Sequence, residues 1–493
     1  MDSLRHILGL SPATAPLRHD EDEVYPVHML DGARLVRSLS CTWILRFNDV
    51  LDPEVLHTSL SRLLDTGDWR KVGGRIHLKE DKVKLEIHVP RPFTEARPAV
   101  SFSHKTFAIP IEDHPVAKTL PHATHDPSLH VGSPSFRAFA VGENAPKSFD
   151  DYLDTDRPQL RLHITSFEDT TLVGLSWPHT LMDVMGQKSL LQAWSLVVAG
   201  RDNEVPAMLG AREDAVCAAL DTPAAKKEEF ALAPLHLKGL RFAMWALRFF
   251  WDIFCNRVVE KRSIFIPHKA MDKLRQRAQD DLPVVDGQDK PFISDGDILT
   301  AWLCRSVALS LPRPRPLAVM QALNIGLRLP SLINAPGLFV QNMTLSGGVN
   351  LAADVARGSL GSIALNHREQ LAGQLSEAQV LASLRHIREK VKPETSSVPR
   401  LFAPPDAVLV NFSNWSRADI FNVVDFSGAV VRAGGTDPPG KLASQYHGSL
   451  SDNSAMRNVF IIVGKDREGN YWIQGHLLPQ TLAWIEESLR EIG

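Results

Sequence analysis

Cysteine is scarce, with four in 493 residues, at positions 41, 217, 255 and 304. No two are close, so there is neither a CxxC pair nor zinc-ligand spacing. Scattered thiols in a chain this long read as reduced and mostly buried, which fits a cytoplasmic protein. Positive charge is not in excess either: 54 Lys and Arg face 57 Asp and Glu, for a formal net charge of −3. An electrostatic hold on nucleic acid needs a basic face, and no aromatic-rich signature points to single-stranded RNA. No short-period repeat is visible. No uncharged apolar run approaches the ~18–20 residues of a membrane span. The first residues, MDSLRHILGLSPATAP, lack a long apolar stretch and lead into the acidic run Asp20-Glu21-Asp22-Glu23, so a signal peptide is not expected. SLREIG at the other end carries no retrieval or lipidation signal.

What is present is ordinary for a globular protein with a full core: 44% hydrophobic and 23% charged residues. The length corresponds to roughly two to four domains. Residues 40–47 (SCTWILRF) read as a strand. Residues 53–64 (PEVLHTSLSRLL) read as a helix with Pro53 in its first turn and an apolar face of Val55, Leu56, Leu60, Leu63 and Leu64. KVGGRIHL (71–78) and KVKLEIHV (82–89) carry strand patterns, and 90–158 looks mostly irregular. RLHITSFEDTTLVGLSW (161–177) is two strands about a turn, and 184–199 is a helix ended by Gly200. Residues 201–235, including DTPAAKKEEFALAP, change character and make the best linker candidate. Beyond them a second unit begins. Strand 262–267 and helices 268–279 and 294–311 come first, then strands 318–330 and 341–349 and a helical region at 351–390. Strands 407–415, 458–465 and 470–477 follow, and a helix at 479–490 closes the chain. Strands mix with helices in a similar rhythm on both sides of the linker, which predicts two α/β units of similar size.

Residues 239–257, GLRFAMWALRFFWDIFCNR, are dense in aromatics, but Arg241, Arg248 and Asp252 interrupt them along one helical stripe. Arg248 and Asp252 have the spacing of i,i+4 partners. The expectation is a helix buried between other elements. The sharper alternative is a peripheral membrane contact or one wall of an apolar substrate channel.

Residues 175–186, LSWPHTLMDVMG, end an apolar strand on His179, with Asp183 four residues on and Gly186 three beyond that. The bare His-to-Asp spacing means little, because it also occurs at His77/Asp81, His122/Asp126 and His268/Asp272. Context separates the four. His268 and Asp272 have the spacing of a helical surface pair, His77 sits in a strand and His122 in an irregular loop. Only His179 closes an apolar strand and opens a helix, the junction where α/β folds place reactive groups. Gly186 allows another backbone or a ligand to approach the first turn of that helix.

HTLMDVMG after LVGLSW resembles the HxxxD motif of the BAHD acyltransferases, above all their fungal branch of trichothecene-type O-acetyltransferases. The likeness runs along most of the chain. KVGGRI with Gly74-Arg75 is similar to the family's AGR turn, and SDGDILTAWL to a helix of its second domain. NIGLRLP followed by Asn342, NFSNWSRADIFNVVDFSG and NYWIQGHLLPQTLAWIE are similar to later family segments. The family's DFGWG stands here as Asp425-Phe426-Ser427-Gly428-Ala429, with the three positions after Phe426 changed. That puts the local loop conformation in question and leaves the chemistry untouched.

The resemblance implies two chloramphenicol-acetyltransferase-like α/β domains, with mixed sheets flanked by helices and an active-site channel between them. The expected division is 1–215, a crossover with the aromatic helix at 216–260, and 261–493. It implies acyl transfer from acyl-CoA, commonly acetyl, to a hydroxyl of a small secondary metabolite such as a terpenoid or polyketide. Acyl-CoA is then a co-substrate; no resident cofactor or metal is implied, and the chain is expected to act as a monomer. His179 and Asp425 are assigned to catalysis. An imidazole, whose ordinary pKa is about 6.5, suits a general base. The resemblance also implies that Asp183 points away from the cavity and pairs with an arginine, for which Arg328 is the candidate. Gly186 and Phe426 are expected to support the motifs. Ser413 and Trp415, where the family has Thr and Trp, are expected to donate to the oxyanion; for Trp415 core packing is an equal alternative.

Two rivals remain. A peptide-synthetase condensation domain would show HHxxxDG, but Pro178 holds the first position and Val184 the place of the glycine. A carrier-protein thioester could replace free CoA as donor. The rival of another class is a binding protein without activity on the same scaffold.

Overall fold

The computed structural model describes residues 19–81, 83–143, 145–221, 228–283, 289–391, 401–434, 438–450 and 455–493. Residues 1–16 and 222–227, on which the leader expectation and part of the linker expectation fall, lie outside them.

In the first half, strand β1 (Ser40–Phe47) is followed by helix α1 (Pro53–Leu64). Asp52 starts this helix by accepting from the N–H groups of Glu54 and Val55, and Pro53 occupies the first turn, where no donor is needed. Leu56, Leu60, Leu63 and Leu64 form its buried face. The segment expected to be irregular contributes two strands, β2 (Ser101–Thr106) and β3 (Ser128–Val131). Strands β4 (Arg161–Ser166) and β5 (Thr171–Pro178) form an antiparallel pair, and β5 is buried throughout, as a central strand must be. Helix α2 (Val184–Val198) follows directly.

Helix α3 (Gly239–Cys255) leads into the second half. Strand β6 (Glu260–Ile266), helices α4 (His268–Asp280) and α5 (Asp295–Ser310), and strands β7 (Leu317–Asn324) and β8 (Thr344–Leu351) come next. Helices α6 (Leu360–Ala372) and α7 (Glu377–His386) precede β9 (Val408–Asn414), β10 (Ser444–Ser449), β11 (Val459–Lys465) and β12 (Tyr471–Leu477), and helix α8 (Pro479–Ile492) closes the chain. Residues 318–330 are not one strand: β7 stops at Asn324, and a 3-10 turn, Ile325–Leu327, precedes Pro330.

The strands form a five-stranded sheet, β10-β1-β5-β4-β2, and a seven-stranded sheet, β8-β7-β9-β11-β12-β6-β3. Each half lends the other a strand. From the first half, β3 pairs with β6, Val131 opposite Arg262. From the second half, β10 pairs with β1, His447 opposite Trp43. A division at 215 and 260 therefore follows the chain but is crossed twice in space. Phe426, from the second half, is fully buried in the first-half core, stacked on Phe47 at 5.2 Å and packed against Trp194 at 4.5 Å. Aromatic pairs of this kind add to the area they bury.

Helix α3 differs from expectation. Of its residues only Trp245 is buried. Trp245 and Phe249 stack at 4.9 Å on a small cluster with Leu237, Ala318, Leu401 and Ala407. Arg248 and Asp252 are not partners: Arg248 donates to the Pro405 carbonyl at 3.0 Å, and Asp252 pairs with Arg315 at 2.9 Å. The nearby loops offered closer geometry than the adjacent helical turn.

Candidate active site

The HxxxD segment sits where β5 ends and α2 begins. The His179 N–H donates to the Leu39 carbonyl at 2.9 Å, and Leu181 N–H returns to Pro178 O, so the chain turns tightly at the strand end. The His179 carbonyl accepts from the Asn342 side chain at 2.8 Å. The ring is half-buried, and its Nδ1 is buried with no hydrogen-bond partner among the described residues.

Asp183 is the N-cap of α2. Its Oδ1 accepts from the N–H groups of Met185 at 2.9 Å and Gly186 at 3.1 Å. Its Oδ2 faces the second half, accepting from Met343 N–H at 3.0 Å, Thr344 Oγ at 2.9 Å and Asn324 Nδ2 at 3.4 Å. The carboxylate thus joins a helix of one half to the β7–β8 edge of the other. None of its partners is charged, and none is His179, so there is no His–Asp dyad. The expected pairing with Arg328 is corrected: no ion pair links the two. Arg328 lies beyond the 3-10 turn that ends β7, whereas Asn324, the last residue of the strand, is within reach. Partial burial and the neighbouring Arg417 lower the Arg328 pKa below the usual guanidinium value.

Gly186 sits against the incoming chain. A β-carbon there would lie 2.8 Å from the Met182 Cβ and 3.3 Å from the Gln341 backbone nitrogen. Asn342, one residue on, also donates to Asp31 through both its N–H, at 2.7 Å, and its amide, at 2.8 Å. Burial raises the Asp31 carboxyl to about 7, against the opposing pull of Lys71 and Asn342.

Asp425 is placed elsewhere. Its N–H donates to Ser195 Oγ, and its carboxylate takes the Lys441 ammonium at 2.9 Å and the Ser427 N–H at 3.0 Å. Ser195 is eleven residues along α2 from Val184, about 16 Å at the helical rise. Burial raises the Asp425 pKa, and Lys441 and Ser427 more than offset it, leaving the carboxyl below its usual range. The side chain anchors its own loop, which corrects the catalytic assignment. Ser413 and Trp415 stand together at the end of β9, but the Trp415 indole N–H is spent on Ser413 Oγ at 2.7 Å. Trp415 is therefore not a second free donor. Its ring packs near His447 at 4.5 Å and Trp43 at 5.9 Å.

Sequence reasoning did not single out Asp31, Thr344 or Asn324. Asn324 opens the NIGLRLP segment and was passed over for its arginine. Asp31 and Thr344 carry no local signal, because their partners are more than 150 residues away.

Two α/β halves that exchange strands and meet at an HxxxD histidine are the arrangement expected of an acyltransferase. The chain is 36% identical over 506 residues to the O-acetyltransferase PaAT-2 of Phomopsis amygdali, covering 98% of this chain and 100% of that one. It is 35% identical to the acetyltransferase pyiB of Pyricularia grisea, over 96% of this chain and 94% of that one. No family model matches it. Among solved structures, the fold resembles F. graminearum TRI101 complexed with coenzyme A and T-2 mycotoxin, with a TM-score of 0.64 at 14% identity over 94% of this chain and 97% of that one. Vinorine synthase gives 0.53 at 15% identity over 97% of this chain and 95% of that one. The chain belongs to a family of fungal acetyltransferases, and its fold resembles that of TRI101 and vinorine synthase.

Proposed function

We propose that this acyltransferase moves an acetyl group from acetyl-CoA to a hydroxyl of a terpenoid- or polyketide-like secondary metabolite, with His179 as general base. The observation that carries the reading is the unpartnered His179 ring at the junction of the halves, its main chain pinned on both sides and its Asp183 neighbour fully engaged elsewhere. His179 takes the hydroxyl proton as the oxygen attacks the thioester carbonyl. The C–S bond breaks, and the thiolate of CoA leaves with the proton that His179 returns. Ser413 Oγ–H, oriented by the Trp415 indole that donates to it, is the candidate donor to the tetrahedral oxyanion. Asp183, Gly186, Asn342 and Asp425 position the loops around this chemistry. The names of the curated relatives support acetyl as the group, and coenzyme A in the TRI101 complex supports the donor. We also propose that the chain works as a monomer and without a resident cofactor.

Thermal-shift titration with CoA, acetyl-CoA, malonyl-CoA and longer acyl-CoAs tests the donor without a known acceptor, because a ligand that prefers the folded state raises Tm. A selective rise with acetyl-CoA is expected. No rise with any of them sinks the free-CoA reading in favour of a carrier-protein donor or an acceptor-first order. His179→Ala must then lower acetyl transfer by about 10²–10⁴-fold while the acetyl-CoA shift persists.

A further inference from the structure

Helix α3 has two apolar faces. One packs inward through Trp245 and Phe249. The other is bare: Leu240 is 78% exposed, Leu247 73%, Phe250 65%, Trp251 64% and Phe254 59%, with Met244 completing the row. Positions 240, 244, 247, 251 and 254 recur at intervals of four and three, so they form one stripe along the helix. Large apolar side chains this exposed and this contiguous mark a contact surface.

The charge around the stripe is of one sign. Lys238, Arg241, Arg248 and Arg257 are exposed at its ends and along one border. The Arg257 guanidinium lies over the Phe254 ring at 4.8 Å. The only acid on the helix, Asp252, is taken by Arg315. No acidic side chain pairs with Lys238, Arg241 or Arg257 among the described residues. This local excess stands against a net charge of −3 for the chain. No helix among the described residues is long and apolar enough to cross a membrane. A helix lying in the plane of an interface needs only this: an apolar aromatic face, flanking cations and a scaffold holding it at the surface.

We propose that α3 docks the enzyme on an anionic lipid bilayer surface, with Leu247, Phe250, Trp251 and Phe254 entering the headgroup–acyl boundary and Lys238, Arg241 and Arg257 meeting the phosphates. A second copy fits less well. An antiparallel two-fold contact centred on Leu247 would set Arg248 against its own copy, with no free acid to relieve it.

The test is co-sedimentation of the full chain with vesicles of phosphatidylcholine alone and of phosphatidylcholine with about one quarter phosphatidylserine. Binding to the anionic vesicles is expected, weakened by salt. The double variant Leu247→Glu/Phe254→Glu should lower the bound fraction more than about tenfold while its Tm stays at the wild-type value, since both side chains are exposed. Arg241→Gln with Arg257→Gln should weaken binding to anionic vesicles alone. Three results overturn the proposal: no binding to either vesicle, equal salt-insensitive binding to both, or a dimer in sedimentation velocity that the Glu variant converts to a monomer.

Discussion

Removing the Asp183 carboxylate should weaken the fold far more than removing the His179 ring, although the two stand in one motif. The Asp183→Ala change loses the N-cap of α2, worth about 1 kcal/mol. It also strands the buried Met343 N–H, now bonded at 3.0 Å, for about 1–3 kcal/mol. Thr344 is exposed and can turn its hydroxyl to water, and the 3.4 Å contact of Asn324 is long, so neither adds much. The expected loss is about 3 kcal/mol in all. Asp183→Asn keeps an oxygen for the cap but turns an amide donor toward Met343 N–H, so it should fall between wild type and Ala. His179→Ala removes a half-buried ring without a hydrogen-bond partner and should cost under about 1 kcal/mol. Urea unfolding followed by tryptophan fluorescence compares the four proteins. A chain of two lobes need not unfold in one step, so the midpoint of the first transition is the quantity to compare. If Asp183→Ala and His179→Ala shift it equally, the carboxylate does not join the halves as described.

His179→Ala should lower kcat by about 10²–10⁴-fold in an acetyl-transfer assay, the usual weight of a general base; full activity in the variant removes His179 from the chemistry. Gly186→Ala pushes a methyl against Met182 and the Gln341 backbone, and should lower stability by about 1–3 kcal/mol in the same urea experiment. Phe426→Ala empties a site between Phe47 and Trp194 and should cost about 3–5 kcal/mol; a neutral outcome would mean that the Asp425–Gly428 loop does not hold the second half to the first-half core. In the second domain, burial raises the Asp297 pKa, but His367 and Ser294 outweigh it and hold the carboxyl at about 2. A lowered carboxyl contributes stability above its unfolded pKa and loses it as pH falls through the folded value. Stability should therefore drop as pH falls from about 4 to about 2, and Asp297→Asn should flatten that part of the curve.

What could be read from the chain was local. Helices α1 and α2 declared themselves through apolar periodicity and through Pro53 and Gly200 near their ends, and β4–β5 through two strand-like runs about a turn. The histidine at the end of β5 stood out because strand, motif and helix are consecutive in the chain, and Gly186 pointed to a close approach that Met182 and Gln341 make. The segment β2–β3 hid among Pro, His and Asp because its strands are short and half-exposed, stabilised by partners supplied from afar. The partners of Asp183 could not be found, because Asn324, Met343 and Thr344 lie 141 to 161 residues away. Arg328 looked the better partner on charge alone, and backbone geometry overruled it. Ser413 and Trp415 were visible as two donors, but only their side-chain geometry showed that one spends its proton on the other. Helix α3 marks the limit most clearly. Its charged stripe leaves two apolar faces, and the sequence does not say which of them is covered, so burial depends on what the folded chain sets against each, and here one face was left bare.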